Sequence, residues 1–443
     1  EANAKNIKIR IKSEKRGTQR VARPTMIVIG DDGDGMDSET LQYCLRLGQS
    51  TRFNSRKGLG RFGVGMTKGA IALCKKIEVY SRKKGGNWNY VVLDLGKPDQ
   101  NGDPYITIVE EKDYPDEFAD LVGDWGTLVV WSDIDRIDTD FTIDDDERRG
   151  VVHEGLRHWI GRTFRKYIGE KIIKKKKVID NPNQVNIFID DGTTNEKVVA
   201  FDPLYVIPNP LRPNDDTAKL ESEEVVEFEV SDVDKPDNPP RTGKIIIRLS
   251  VTPESFRNDP DVYRRGGTAE SKARYLPNNE GFSVLRNGRE VLYHTIENWE
   301  PKPQPEDRFW SCEIDFESVL DHHFKITNVK VGAKPTFELR TEIQKKISST
   351  IIQNFRKTIS GLWTQLNAAS TPTQSQPNIP TTALPPGTVT PPTPEEEGQH
   401  EDEEGWNETI KILEDPACPP IVIVNDKDSE PDDPVFSTTP YGG

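Results

Sequence analysis

Four cysteines in 443 residues, Cys44, Cys74, Cys312 and Cys418, stand with no Cys-x-x-Cys spacing among them. That argues against a cysteine zinc site and against a disulfide framework, and leaves buried free thiols in a reducing cytosol as the expected state. No apolar run approaches the roughly 20 residues that cross a bilayer, and nothing has the charged, apolar, small-residue order of a signal peptide. A cytoplasmic chain with no membrane partner is expected. The chain opens at Glu1, without an initiator Met and inside what reads as an element, and is expected to be a piece of something longer. Apolar residues are scarce as well, at 33% with a mean hydropathy of -0.69. A chain of this length can build two or three cored domains, so the deficit implies a segment that stays unpacked.

The deficit and the charge share an address. From Glu395 onward 15 acidic residues face only Lys411 and Lys427, so -13 of the net -15 lies there and residues 1–394 carry -2. Before that block, Ala368 to Pro394 alternates Thr, Pro, Gln and Ser, a composition that cannot bury enough surface to fold. Residues 369–405 are therefore expected to form a disordered linker. Residues 406–443, with apolar islands at Trp406–Leu413 and Ile421–Val424, are the start of a further module or a tail. An acidic tail of this kind binds a basic partner or serves as a solubilising spacer. The body carries the opposite sign in one place, at Arg162, Arg165, Lys166, Lys171 and Lys174 to Lys177. Such a run is a solvated face or, alternatively, a nucleic-acid contact over 162–177.

The stretch with most chemistry in it lies between Val28 and Ala70. A buried strand, Met26 to Ile29, delivers Asp31 to a turn whose glycines, Gly33 and Gly35, let a flat group lie against the backbone. The Asp31 carboxylate suits a hydrogen bond from an exocyclic amine, and Met36 offers a soft apolar surface for a ring. After a helix from about Ser38 to Leu47, capped by Asp37 or Ser38, comes a polar loop and then Gly58-Leu-Gly60-Arg61-Phe62-Gly63-Val64-Gly65, running into Lys68 and an apolar helix over 64–73. Glycines ahead of a helix leave backbone N–H groups free for phosphates. Each cluster alone would equally be a plain turn. The two in this order, followed by Trp125-Gly126-Thr127-Leu128-Val129, are a specific combination.

This combination resembles the GHKL ATPases, the superfamily of gyrase, the large heat-shock chaperone, histidine kinases and mismatch-repair ATPases, which share the Bergerat ATP-binding fold. The Gly-Arg-Phe-Gly-Val-Gly wording is most similar to the chaperone, mismatch-repair and microrchidia branch. The resemblance implies that Asp31 binds the adenine amine, that Gly60, Gly63 and Gly65 belong to a lid over the phosphates, and that Gly126-Thr127 closes the adenine pocket. ATP and Mg2+ are the implied cofactors. The family's general-base Glu and magnesium-binding Asn are expected just upstream of Glu1.

The implied fold is α/β, a two-layer Bergerat-type ATPase sandwich over 1–180, followed by a transducer-like α+β domain over 181–368 and a disordered acidic tail. In the first part, strands are expected at about Lys76–Arg82, Trp88–Leu95, Tyr105–Glu110 and Thr127–Ser132, then a helix over 144–168. That helix contains His153-Glu154, similar to a phosphoacceptor box but placed after the ATP module instead of before it. In the second part, strands are expected at Val185–Ile189, Val198–Phe201, Val225–Val230 and Lys244–Val251. A hairpin about Asn287-Gly288 and one helix from Phe337 to about Leu366 follow. By position, Lys330, with Lys334 close behind, matches the transducer lysine that reaches the terminal phosphate. Three functions stay open at this point. The first is an ATP-hydrolysing conformational switch acting as a homodimer through its ATPase and transducer regions. The others are a nucleotide-binding scaffold with little hydrolysis and a DNA-associated ATPase of a repair or defence system.

Overall fold

Three isoleucines at alternate positions, Ile7, Ile9 and Ile11, put one row of apolar side chains on one face of β1 (Asn6–Glu14), and the first sheet is built outward from it. The computed structural model describes residues 2–15, 22–48, 63–97, 106–137, 141–145, 155–230, 241–257, 268–279, 281–294, 304–326 and 333–370. All of them belong to one unit, Glu1–Thr373.

The first sheet has eight strands. Its order is β10 (Asn195–Lys197), β9 (Asn186–Asp190), β1, β2 (Arg23–Asp31), β6 (Gly126–Ile134), β3 (Cys74–Arg82), β4 (Asn89–Asp94) and β5 (Glu110–Glu111). Only β1 and β9 run parallel. Register aligns side chains into rows across the strands. One row runs Ile189, Ile9, Ile29, Val129, Val79, Val91; the next runs Ile11, Ile27, Trp131, Ile77, Leu93. On this face they pack under α1 (Ser38–Cys44), α2 (Gly65–Ile71) and α3 (Leu156–Thr163), through Leu41, Ala70 and Ile160. The opposite face is covered in part by the turn at Asp116–Phe118, whose Phe118 joins Leu121, Val28, Leu128 and Tyr80. One sheet with helices on one face is the two-layer α/β arrangement.

The change of sheet comes later than residue 180. Strands β9 and β10 hydrogen-bond into the first sheet, so the expected boundary falls ahead of two strands that still belong to it. Val198 to Phe201 is not a strand. It wedges against α3, where the Phe201 N–H donates to the Gly161 carbonyl and Gly161 has no room for a side chain. The expected 144–168 helix is shorter where described: α3 begins at Leu156 and breaks at Phe164, and α4 (Arg165–Ile168) follows. A short hairpin, β7 (Lys171–Lys174) with β8 (Lys177–Asp180), sits between.

The second sheet has the order β11 (Lys219–Val230), β12 (Arg241–Val251), β15 (Trp310–Phe316), β13 (Phe282–Arg286), β14 (Arg289–His294). Asn287 and Gly288 turn β13 into β14 with φ of +48° and +80°, the left-handed pair that an Asn-Gly hairpin supplies. On one face Ile245, Ile247, Leu249, Ile314 and Phe316 pack with α5 (Phe337–Lys346) and α6 (Ser349–Ser370) through Leu339, Ile343, Ile352 and Trp363. The expected single helix from Phe337 is thus two. It stops at Ile347, and the Ser348 hydroxyl accepts from the Ile351 N–H to start the next.

Candidate functional site

One row of the first sheet departs from the apolar pattern. Asp31 stands opposite Thr127, and Thr127 opposite Ser81, across the adjacent strands β2, β6 and β3. Directly opposed residues share a face. The neighbouring rows on that face, Ile29 with Val129 and Val79, then Ile27 with Trp131 and Ile77, are apolar. A flat ring laid on this floor meets a polar rim along one side only.

The turn after β2 shapes that rim. The Gly33 N–H donates to Asp31 Oδ1 at 2.8 Å, and a Cβ at Gly33 would sit 2.7 Å from the same oxygen. Gly35 has φ +67°, and a Cβ there would lie 2.0 Å from the Arg82 carbonyl oxygen, so only glycine fits. The two other aspartates of the turn point to the chain's start. Asp32 accepts from the Lys5 and Asn6 amides at 2.7 and 2.9 Å and from Asn6 Nδ2 at 2.7 Å, while Asn3 Nδ2 donates to Asp34 at 2.7 Å. Asp31 accepts within its own turn. Burial pushes its carboxyl above the usual range, against the pull of the Gly33 amide. Among the described residues no cation and no side-chain donor reaches it.

Ser81 was not singled out by sequence, yet it ties the rim together. It is wholly buried, accepts from the Met36 N–H at 2.8 Å, donates to the Gly126 carbonyl at 3.0 Å and lies 3.0 Å from Thr127 Oγ1. Met36 in turn packs against the apolar rows. The available signal was a serine ending the alternation Ile77, Val79, Ser81. What gives it meaning is register with a strand 45 residues away. Gly126 also backs this corner, since a Cβ there would meet the Asp31 carbonyl oxygen at 2.0 Å.

Of the second glycine cluster, Gly58, Gly60, Arg61 and Phe62 lie outside the described residues. Gly63 has φ +63°, its carbonyl accepts from the Gly48 N–H at 3.3 Å, and Val64 is the N-cap of α2 with no side-chain cap bond. Gly65 opens the helix, and Lys68 is exposed in its last turn. The Thr67 hydroxyl anchors the helix to the Leu45 carbonyl at 2.9 Å. Lys330 and His153 lie outside the described residues. The Lys334 amide donates to the Phe324 carbonyl.

The basic stretch divides. Glu223, Arg248, Glu313 and Ser283 form a row across β11, β12, β15 and β13 on the face away from α5 and α6. Arg165 and Lys166 of α4 reach into it. Glu313 accepts from Arg165 at 2.8 Å, Lys166 at 2.7 Å and Arg248 at 2.7 Å; Glu290 accepts from Arg162 at 2.8 Å and Arg165 at 2.9 Å. Burial pushes Glu313 upward, but Lys166, Arg165 and Arg248 outweigh it and hold the carboxyl far below its usual range. Arg165 and Arg248 are buried and Lys166 is half-buried, so these three cations serve the junction between α4 and the second sheet and not an open basic face. Lys171 and Lys174 to Lys177 remain on the β7–β8 hairpin, with Lys171 paired to Asp180. A cavity of about 300 Å³ lies beside this junction, lined by Arg165, Asp202, Phe201 and Tyr205; it does not include Asp31.

The two-layer fold and the Asp31 corner are similar to those of GHKL-type ATPases. Residues 1–122 match the family described as histidine kinase-, DNA gyrase B-, and HSP90-like ATPase. Protein MICRORCHIDIA 5 of Arabidopsis thaliana, a member of the same superfamily, is 19% identical over 330 residues, 71% of this chain and 40% of that protein. The chain therefore spans about 40% of the length of this relative.

Proposed function

We propose that the chain binds ATP with its adenine amine on Asp31, its ring against Met36 and the apolar rows, and its phosphates toward the 58–68 loop. The observation that carries this reading is the half-buried Asp31 carboxylate, standing opposite Thr127 at the end of the apolar rows and hydrogen-bonded within its own turn to the Gly33 amide. Such a group is satisfied by a neutral N–H donor, and it repels the carbonyl that guanine would place there. Magnesium accompanies the triphosphate. Among the described residues no group of three or more His, Cys, Asp or Glu gathers to hold a metal, so no ligand for it is assigned.

In the same reading ATP hydrolysis drives a switch. The 58–68 loop closes over the nucleotide, the second sheet acts as a transducer, Lys330 meets the terminal phosphate, and two copies of the chain meet in the ATP state. Lys174 to Lys177 on their hairpin remain the candidate nucleic-acid contact, and the acidic tail the candidate contact for a basic partner. The test is titration of ATP and GTP against the chain, with phosphate release and solution mass measured under ATP and under ADP. The expected result is a preference for ATP, phosphate release, and a doubled mass with ATP. Binding without phosphate release favours a nucleotide-binding scaffold, and absence of ATP binding overturns the reading.

A further inference from the structure

The three neighbours of the Ser81 hydroxyl cannot be served in any order. It holds one proton and two lone pairs. The Met36 N–H, 2.8 Å away, can only donate; the Gly126 carbonyl, 3.0 Å away, can only accept; the Thr127 hydroxyl, 3.0 Å away, can do either. If the Ser81 proton turned to Thr127, lone pairs of Ser81 and of the Gly126 carbonyl would face each other at hydrogen-bond distance in a buried site. If it turns to the carbonyl, all three neighbours are satisfied, because the second lone pair of Ser81 takes the Thr127 proton. Burial makes this ordering strict, since no water replaces a missing partner at a wholly buried hydroxyl.

We infer that Ser81 is a specificity-determining positioning residue, which fixes the Thr127 hydroxyl as an acceptor so that the rim presents acceptors only. With its proton committed to Ser81, Thr127 Oγ1 turns lone pairs to the pocket, directly across from the Asp31 carboxylate. Two opposed acceptors match a group with two N–H bonds on one nitrogen, the exocyclic amine of a 6-aminopurine. They oppose a 6-oxo purine twice. Asp31 alone would prefer the amine; Ser81 makes Thr127 add to that preference instead of adapting to either base. This inference rests on the adenine assignment of Asp31.

The test compares binding of ATP and of inosine triphosphate, its 6-oxo counterpart, to the wild-type chain, Ser81→Ala and Thr127→Val. In Ser81→Ala the Thr127 hydroxyl is free to rotate and donate, so ATP weakens, inosine triphosphate strengthens, and the ratio of their affinities falls about tenfold. Thr127→Val lowers the ratio by a similar factor, and adding Ser81→Ala to it changes the ratio no further. A serine that merely supports the turn would weaken both nucleotides equally, so an unchanged ratio in Ser81→Ala overturns the inference. Should that variant not fold, Ser81→Gly, which likewise removes the hydroxyl and frees Thr127, carries the same comparison, and an unchanged ratio there is equally decisive. A wild-type chain that binds both nucleotides alike rejects the adenine assignment itself, whatever Ser81 does.

Discussion

Substituting Glu313→Gln tests how the two sheets are held together. The side chain is wholly buried on β15 and accepts from Arg165, Lys166 and Arg248 at 2.7–2.8 Å. Glutamine keeps the shape but removes the charge that compensates three cations, and it turns an N–H₂ toward them. Breaking a buried ion pair by neutralising one side costs about 3–5 kcal/mol. With an unfolding entropy of about 2 cal/mol/K per residue, that cost lowers the Tm of the Glu1–Thr373 unit by about 4–6 °C. Glu227→Gln is the control, because its pair with Lys244 is exposed on both sides and should change stability by less than about 0.5 kcal/mol. The pH dependence has a definite sign. A carboxylate held below its unfolded value contributes stability that is complete above about pH 4.5 and is lost as pH falls toward its folded value. The gap between wild type and Glu313→Gln should therefore hold from pH 7 to about 4.5 and narrow only in acid. Thermal and urea unfolding at several pH values measure it. A loss under about 1 kcal/mol at pH 7 would refute the reasoning.

Two further outcomes concern the pocket. Gly35→Ala forces a left-handed turn residue and the Arg82 carbonyl apart, so it should weaken ATP binding at least tenfold by calorimetric titration, with the second sheet's near-UV signal unchanged. The Asp31 carboxyl is raised by burial, so ATP affinity should decline as pH falls through a value above the ordinary 3.8. In Asp31→Asn the same titrations should show no such decline.

Local chemistry is what a sequence states most openly, and Asp31, Gly33, Gly35 and the Asn287-Gly288 hairpin were legible for that reason: each is decided within a few residues of itself. The alternation at Ile7, Ile9 and Ile11 likewise announced a strand with one buried face. What escaped depends on register between distant segments. Arg165 and Lys166 looked like part of a solvated or nucleic-acid-binding run because their carboxylates, Glu290 and Glu313, lie more than a hundred residues further on. Ser81 is an unremarked serine until β3 is laid beside β6. Strands β9 and β10 follow the basic hairpin in sequence and were assigned to the second domain, yet β9 pairs in parallel with the first strand of the chain, a contact no local pattern encodes. The break at Ile347 was hidden by apolar periodicity that continues through it, although Ser348 and Ser349 supply a helix start.

The measurement that bears most directly on the account is calorimetric titration of ATP against the wild-type chain and Asp31→Asn. With a half-buried acceptor turned into an amide that offers N–H to the adenine amine, ATP affinity should drop by about 1–3 kcal/mol. Equal affinity of the two proteins for ATP would contradict it.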